Sequence, residues 1–337
     1  MSDRGRKTAA GWIGWLVALV VMGALGSPLA LRANPDTSRC ELWVDLLAGE
    51  PLGYPQVLAD LTEAQVIYLG EQHGVARHHQ WQARIVADLA REDRLLVLAL
   101  EQLEAQYQPE ADRYNRGEID FATLARATEW HHRWSSYEDY RPAIEAAHQA
   151  GVPILALNAR QETIRQVARG GGVARLSRSL RAELPAEVAL DDPPYARLLR
   201  LQLGVHGDSS PERLGPMVEA QIARDETMAQ RLVDFLNAAG ARTGAAVVLT
   251  GAGHVSYGLG MPARVRRRLP QVRDRILLFA ESDDRALAVG LPHPLITHDD
   301  RRAVGRPVAD YVSIAFTPEP AAPATERLTQ GSPPARP

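Results

Sequence analysis

Four short apolar runs are the feature that most constrains how this 337-residue chain can fold. They span Val66 to Leu69, Leu95 to Leu100, Pro153 to Leu157 and Ala246 to Thr250. The runs do not alternate apolar with polar residues, and polar or glycine residues bound them, which predicts strands buried on both faces. Helical patterns lie between them, and further strands are expected at 276–280 and 311–316. This order predicts an α/β fold with a mainly parallel central sheet and helices on both faces.

The domain organisation expected from the sequence is one domain over residues 35–316, with a mainly helical cap inserted at about 104–214. Residues 317–337 are rich in proline and alanine and are expected to be disordered. Near the start, Arg4, Arg6 and Lys7 precede an apolar run that ends at Leu31. Residues 1–34 therefore predict export, either through a secretory signal or through an uncleaved membrane anchor. The periplasm is the expected location, with the protein soluble or anchored there.

Composition excludes several classes of protein. The formal net charge of −3 gives no excess of basic residues of the kind that nucleic-acid-binding proteins carry. Cys40 is the single cysteine, so the chain holds no disulfide framework and no cysteine-based zinc site. Cys40 also follows Thr-Ser-Arg rather than the small residues of a lipobox, and attachment through lipid is not expected.

Polar residues follow each of the four runs. Glu71 and His73 come after the first, Glu101 after the second, Asn158 after the third and His254 after the fourth. The carboxyl ends of parallel strands share one edge of the sheet, where ligands bind in α/β folds. The sequence therefore predicts a binding site at this edge.

Two helical stripes add polar residues to an otherwise apolar face. The first runs from His78 to Ala90 and carries His79 and Gln82. The second runs from about Met217 to Leu236 and carries Gln221 and Asp225. A buried carboxylate is costly unless it is paired, so Asp225 is expected either to pair with His254 or His73, or to lie at the exposed rim.

These residues, in this order, resemble the haem-binding uptake family ChaN of the Tiki superfamily. The segments that carry the resemblance are Tyr-Leu-Gly-Glu-Gln-His at 68–73, then His79 and Gln82, Ala-Leu-Glu at 99–101, Tyr-Arg-Pro at 140–142, Ala-Leu-Asn at 156–158, Asp-Glu-Thr-Met-Ala at 225–229, and Gly-His at 253–254 through Tyr257 to Gly-Met-Pro at 260–262. The resemblance implies an exported protein of iron or haem acquisition. Relatives in the wider superfamily imply hydrolases built on the same Glu and His positions.

Haem is the first ligand that the resemblance implies. Haem needs an axial ligand, for which Tyr257 and His254 are candidates. His79 is a further candidate contact, and Arg141 and Arg264 are candidate partners of the propionates. The chain has no c-type attachment sequence, so haem would be held without covalent bonds. Haem at a shallow site could also lie between two subunits, which keeps a homodimer among the expectations.

A metal-dependent peptidase or esterase is the alternative. Glu71, His73, Asp225 and His254 are candidate ligands of a divalent ion such as manganese, cobalt or zinc. Glu71, His73, Glu101 and His254 are the corresponding catalytic candidates, with Glu71 as the simplest general base on a metal-bound water. The same residues serve both hypotheses, so their identity alone does not separate them.

Overall fold

The computed structural model describes residues 40–134, 136–204, 211–240, 244–281 and 305–316. The strands are β1 (Cys40–Asp45), β2 (Glu50–Leu52), β3 (Val66–Glu71), β4 (Leu95–Glu104), β5 (Ile154–Asn158), β6 (Ala245–Gly251), β7 (Asp274–Glu281) and β8 (Tyr311–Phe316). The α-helices are α1 (Tyr54–Leu61), α2 (Ala76–Arg91), α3 (Gln108–Asn115), α4 (Phe121–Ala127), α5 (Trp130–Arg133), α6 (Arg141–Gln149), α7 (Gln161–Gly170), α8 (Arg178–Arg181), α9 (Pro193–Gly204), α10 (Pro211–Ala239) and α11 (Met261–Arg268). Short 3-10 turns lie at Ala105–Tyr107, Tyr137–Tyr140, Val173–Arg175, Ala252–His254 and Ser256–Gly258.

The strands form one sheet in the order β2-β1-β8-β7-β3-β6-β4-β5. Strands β8, β7, β3, β6, β4 and β5 pair in parallel, and β1 pairs antiparallel with both β2 and β8. The predicted α/β fold with a mainly parallel sheet is confirmed, and all six predicted strands are present. The sequence patterns did not predict β1 and β2, which form the antiparallel edge.

The central strands are buried on both faces, which explains why their sequences do not alternate. Ile67 and Leu69 of β3 pack in the core on the side of α1, α2 and α6. Val66 and Tyr68 of the same strand pack on the opposite side, with residues of α10 and α11. Burying one such large apolar side chain stabilises the fold by about 1.5–3 kcal/mol. The sheet is therefore a rigid support for the residues at its carboxyl edge.

Parts of the expected domain organisation lie outside the described residues. This is so for the predicted export segment at 1–34 and the predicted disordered tail at 317–337. Between β4 and α10, the described chain forms the helices α3 to α9, with β5 among them. Among the helices that the structure describes, none combines the length and the apolar character needed to cross a membrane.

Candidate functional site

Glu71 ends β3 on the face of the sheet that α2 and α6 cover. Its side chain is 1% exposed. The carboxylate accepts a hydrogen bond from Gln82 Nε2 at 2.6 Å and another from the hydroxyl of Tyr140. His79 Nδ1 lies 3.3 Å from the Oε2 atom of Glu71. These donors offset the cost of burying a carboxylate, and they fix Glu71 at the edge of the sheet.

Glu101 lies on the opposite face of the sheet, the face on which Ala99 of the same strand packs against α10. Its Oε2 atom accepts hydrogen bonds from the Thr250 hydroxyl and the Gly251 backbone N–H, both at 2.7 Å. Its Oε1 atom lies 3.1 Å from His254 Nε2. Burial acts to raise the pKa of Glu101, but the charge of His254 and these hydrogen bonds outweigh it and hold that pKa well below its usual range.

Asp225 extends the Glu101 network from α10. It is fully buried, and its Oδ1 atom lies 2.6 Å from His254 Nδ1. The Tyr195 hydroxyl donates to Oδ2 at 2.6 Å. Gln221 Nε2 also lies 3.0 Å from His254 Nδ1. Of the two alternatives for Asp225, the structure has the buried residue paired with an imidazole.

His254 therefore lies between two carboxylates. Burial acts to lower the pKa of His254, but Glu101 and Asp225 outweigh it and raise that pKa to about 10. His254 is consequently a charged imidazolium at neutral pH, and each ring N–H faces a carboxylate. It would have to lose a proton, and with it one of these contacts, before it could bind a metal ion or act as a base.

His73 belongs to the Glu71 network and lies next to the end of β6 at the edge of the sheet. Its Nδ1 atom lies 2.7 Å from Glu71 Oε1, and its ring packs edge-on against Trp134 with the ring centroids 5.0 Å apart. A Cβ atom on Gly251 would lie only 2.9 Å from His73 Nε2, so a larger residue at position 251 would push the imidazole ring away. Burial acts to lower the pKa of His73, but the hydrogen bond to Glu71 and the charge of Glu101 raise it overall.

The side chain of His73 is 21% exposed. Its Nδ1 atom faces Glu71, and its Nε2 atom makes no hydrogen bond within the described residues. A carboxylate on one ring nitrogen fixes the tautomer and leaves the other nitrogen able to bind a ligand or exchange a proton. Of the two imidazoles at this edge, His73 is the one that can react without breaking a network.

The candidate site residues fall into three groups in the structure. Glu71, His73 and His79 share the first network, and Glu101, Asp225 and His254 share the second. Arg141 belongs to neither, because it is exposed, contacts Glu145 at 2.7 Å and lies over the ring of Phe121. Arg264 is 1% exposed, and its guanidinium is held between Asp192 and Glu226 at 3.3 Å from each. Its charge is therefore paired inside the fold and does not face solvent.

Tyr257 also lies apart from both networks, on the turn after His254. It is half-buried against the apolar cluster that includes Leu198 and Val218 of α9 and α10. Its φ of 60° and ψ of 14° are left-handed, and its backbone N–H donates to Val308 O at 2.7 Å. Within the described residues its hydroxyl has no hydrogen-bond partner.

Two residues of the site were not predicted from the sequence. Tyr195 belongs to an apolar stripe of α9 with Leu198 and Leu199, which is the ordinary pattern of a core-facing helix. Arg306 is exposed and lies against Gly258, because a Cβ atom there would be 2.6 Å from Arg306 Nη1. No sequence motif marks either residue. Only the folded structure brings Tyr195 to Asp225 and Arg306 to Gly258, beside Tyr257.

The candidate metal ligands occupy paired rather than convergent positions. Glu71 is bonded to His73, and Asp225 to His254. Within the described ranges, no group of three or more His, Cys, Asp or Glu side chains is arranged so that it could hold a metal ion. The divalent-metal hypothesis remains a prediction from residue identity.

Comparison with known families identifies the fold and its relatives. Residues 57–265, more than half of the chain, match the family model described as haem-binding uptake, Tiki superfamily, ChaN. The chain belongs to the ChaN family. The solved structure of ChaN from Campylobacter jejuni, described as showing cofacial haem binding, is similar to it at a TM-score of 0.60. That likeness has 20% sequence identity and covers 82% of this ChaN-family chain and 97% of the other, so it bears on the fold alone.

Two further proteins are similar to this ChaN-family chain. Protein RETICULATA-RELATED 5, chloroplastic, from Arabidopsis thaliana is 28% identical over 259 residues, which is 68% of this chain. This chain spans about a third of the length of that curated relative. A mutant of the erythromycin esterase EreC in its open conformation is similar at a TM-score of 0.42 and 14% identity, over 71% of this chain and 77% of the other.

Proposed function

We propose that this ChaN-family protein is an exported haem-binding protein that takes part in iron or haem uptake, with Tyr257 as the axial ligand. The observation that carries the proposal is the left-handed backbone of Tyr257. A side chain in this conformation costs about 1–2 kcal/mol, which a glycine would avoid. Such strain at a half-buried residue, whose hydroxyl has no hydrogen-bond partner among the described residues, supports a functional use of the side chain.

The surroundings of Tyr257 fit the requirements of haem. Haem needs an axial ligand, apolar walls and cations for its propionates. Met217 and Leu259, which are partly buried against the same apolar cluster as Tyr257, would provide an apolar wall. Arg306 provides an exposed cation one residue further along, against Gly258. When bound, haem supplies an iron centre that accepts an oxygen ligand such as tyrosinate.

The residues of this chain would have separate tasks in binding haem. Tyr257 would hold the iron, and Arg306 would contact a propionate. The second network would fix the turn that carries Tyr257, because His254, three residues before it, is bonded to Asp225 and Glu101. His73, with Nε2 available at the same edge, is the second candidate ligand within the chain.

Location and assembly are further parts of the proposal. The basic and then apolar N-terminal sequence supports export to the periplasm, with the protein soluble or anchored to a membrane. A tyrosine at the rim of the fold leaves the far side of a bound haem open. A second copy of the chain could cover that side, so we include a homodimer in the proposal.

Replacing Tyr257 with phenylalanine is expected to weaken hemin binding about tenfold or more, because it removes one iron–oxygen bond and leaves the ring packing in place. Arg306→Gln should weaken binding by a smaller factor, and the loss should shrink at high salt because the exposed charge is screened. Absorbance titrations of the full chain with hemin measure both effects. Tyr107→Phe, a partly buried tyrosine of another loop, is the control. Wild-type affinity in Tyr257→Phe would contradict the assignment of the ligand.

A further inference from the structure

A cavity of about 550 Å³ lies at the carboxyl ends of β4 and β5, away from Tyr257. Ala105, which follows β4, and Ala159, which follows β5, line one side of it. Thr227 and Arg231 of α10 line another side. The volume is that of a small-molecule site, and the position is where α/β folds bind ligands.

One face of α10 directs two arginines toward this region. Arg224, Thr227 and Arg231 are spaced three and four residues apart, which places them on the same face of the helix. Arg224 is 7% exposed and forms no hydrogen bond or ion pair within the part of the chain that the structure describes. Its acidic neighbours Glu101, Glu104 and Asp225 act on it through their charges without a direct ion pair in the described structure.

Arg231 lines the cavity itself and has only neutral partners. Its Nε atom donates to the Ala156 carbonyl oxygen at 3.1 Å, and its Nη2 atom donates to Gln108 Oε1 at 3.1 Å. Its Nη1 atom has no hydrogen-bond partner among the described residues. Burial lowers the pKa of Arg231; the charges of Asp234 and Asp112 act to raise it from a distance, but no carboxylate contacts the guanidinium within the described residues.

The other charges of the cavity cancel, and its wall is fixed. Glu183 is paired with Arg160 at 3.0 Å, and Arg231 is the lining residue whose charge forms no ion pair within the described residues. The wall at Leu184 and Pro185 is held by Arg181, whose guanidinium donates to Pro185 O at 2.6 Å. A preformed wall lowers the ordering cost of binding.

We propose that this cavity binds a small organic anion through a carboxylate or phosphate group, with Arg231 as the recognising cation and Leu184 and Pro185 against its apolar part. A guanidinium presents several N–H donors in a plane, which matches the oxygens of either group. This binding site is independent of the proposed haem ligand Tyr257.

Isothermal titration of the full chain with inorganic phosphate and, separately, with malonate tests the proposal at constant ionic strength. We expect saturable binding of at least one of these probes. The affinity should fall about tenfold or more in Arg231→Gln, because a charge-assisted contact is lost. It should be unchanged in Arg169→Gln, which removes an exposed arginine of α7. The probe that binds distinguishes a phosphate site from a carboxylate site.

A second variant covers the case in which Arg231→Gln fails to fold. Ala105→Leu adds apolar volume to the cavity wall without removing a charge, and we expect it to weaken the same probe. The titration is repeated after saturation with hemin, which should leave the probe affinity unchanged. Absence of saturable binding, or equal affinity in the wild type and the cavity variants, would overturn the proposal. Loss of probe binding in the presence of hemin would also overturn it, because the cavity would then be part of the haem site.

Discussion

Asp225→Asn is expected to lower the free energy of unfolding by about 3–5 kcal/mol, the range for removing one partner of a buried ion pair. Asp225 is fully buried, and its charge faces the His254 imidazolium at 2.6 Å. The variant keeps the size of the side chain but leaves His254 with Glu101 as its one carboxylate partner in the described structure. Urea denaturation at neutral pH measures the loss. Asp234→Asn, an exposed residue of the same helix, should change stability by less than about 1 kcal/mol.

The same variant should flatten the pH dependence of stability. The pKa of His254 is raised from 6.5 to about 10 in the folded state. A raised folded pKa contributes stability that is complete below pH 6.5 and is lost as the pH rises toward 10. The wild type should therefore lose more stability than Asp225→Asn between these pH values. An equal loss in both proteins would contradict the pairing of His254 with Asp225.

Glu226→Gln is expected to have a comparable effect of about 3–5 kcal/mol on stability. Glu226 is fully buried, and its carboxylate contacts Arg264 at 3.3 Å, Arg267 at 2.8 Å and Arg268 at 2.7 Å. Without this charge, the buried Arg264 would keep Asp192 as its one carboxylate partner among the described residues. The three arginines, which all lie on α11, would also repel one another without the carboxylate of α10 between them.

Glu187→Gln is the matched control for Glu226→Gln. Glu187 contacts the same Arg267 at 3.6 Å, but its side chain is 72% exposed. Exposed pairs contribute less than about 1 kcal/mol, so this variant should unfold at nearly the wild-type urea concentration. Thermal and urea unfolding of both variants would distinguish the buried pair from the exposed pair. Similar losses in the two variants would contradict the structural role of Glu226.

The sheet could be predicted from the sequence because its central strands are buried on both faces. Their runs, such as 66–69 and 246–250, contain no polar residue until the last one or two positions. The edge strands β1 and β2 gave no such pattern. Strand β2 has only three residues, and β1 mixes exposed with buried positions around Trp43. A short strand at an edge depends on its partner in space, which the local sequence does not encode.

The candidate site was predictable in its location but not in its division into two networks. Topology alone brings Glu71, Glu101 and His254 to the carboxyl edge of the sheet. Glu71 shares a face with Ile67 and Leu69, and Glu101 shares the other face with Ala99. Both faces of these strands are apolar, so the sequence pattern does not show which of the two cores each set of side chains faces.

The partner of a buried polar residue was predictable only when its chemistry required one. A carboxylate at the core-facing position of Asp225 needs a partner such as an imidazole if it is buried. In the structure that partner is His254. The contact from Tyr195 to Asp225 had no such indication. A tyrosine in an apolar stripe is just as compatible with ordinary core packing as with a bond to a carboxylate. The left-handed backbone of Tyr257 was also hidden, because a lone tyrosine after Ser256 carries no turn signal.

The most direct test of haem binding is an absorbance titration of the full wild-type chain with hemin, with elemental analysis of the same preparation. The account predicts a saturable shift of the Soret band and no stoichiometric manganese, cobalt or zinc in the purified protein. The absence of a saturable shift, together with one or two bound divalent ions per chain, would contradict it and favour a metal-dependent hydrolase.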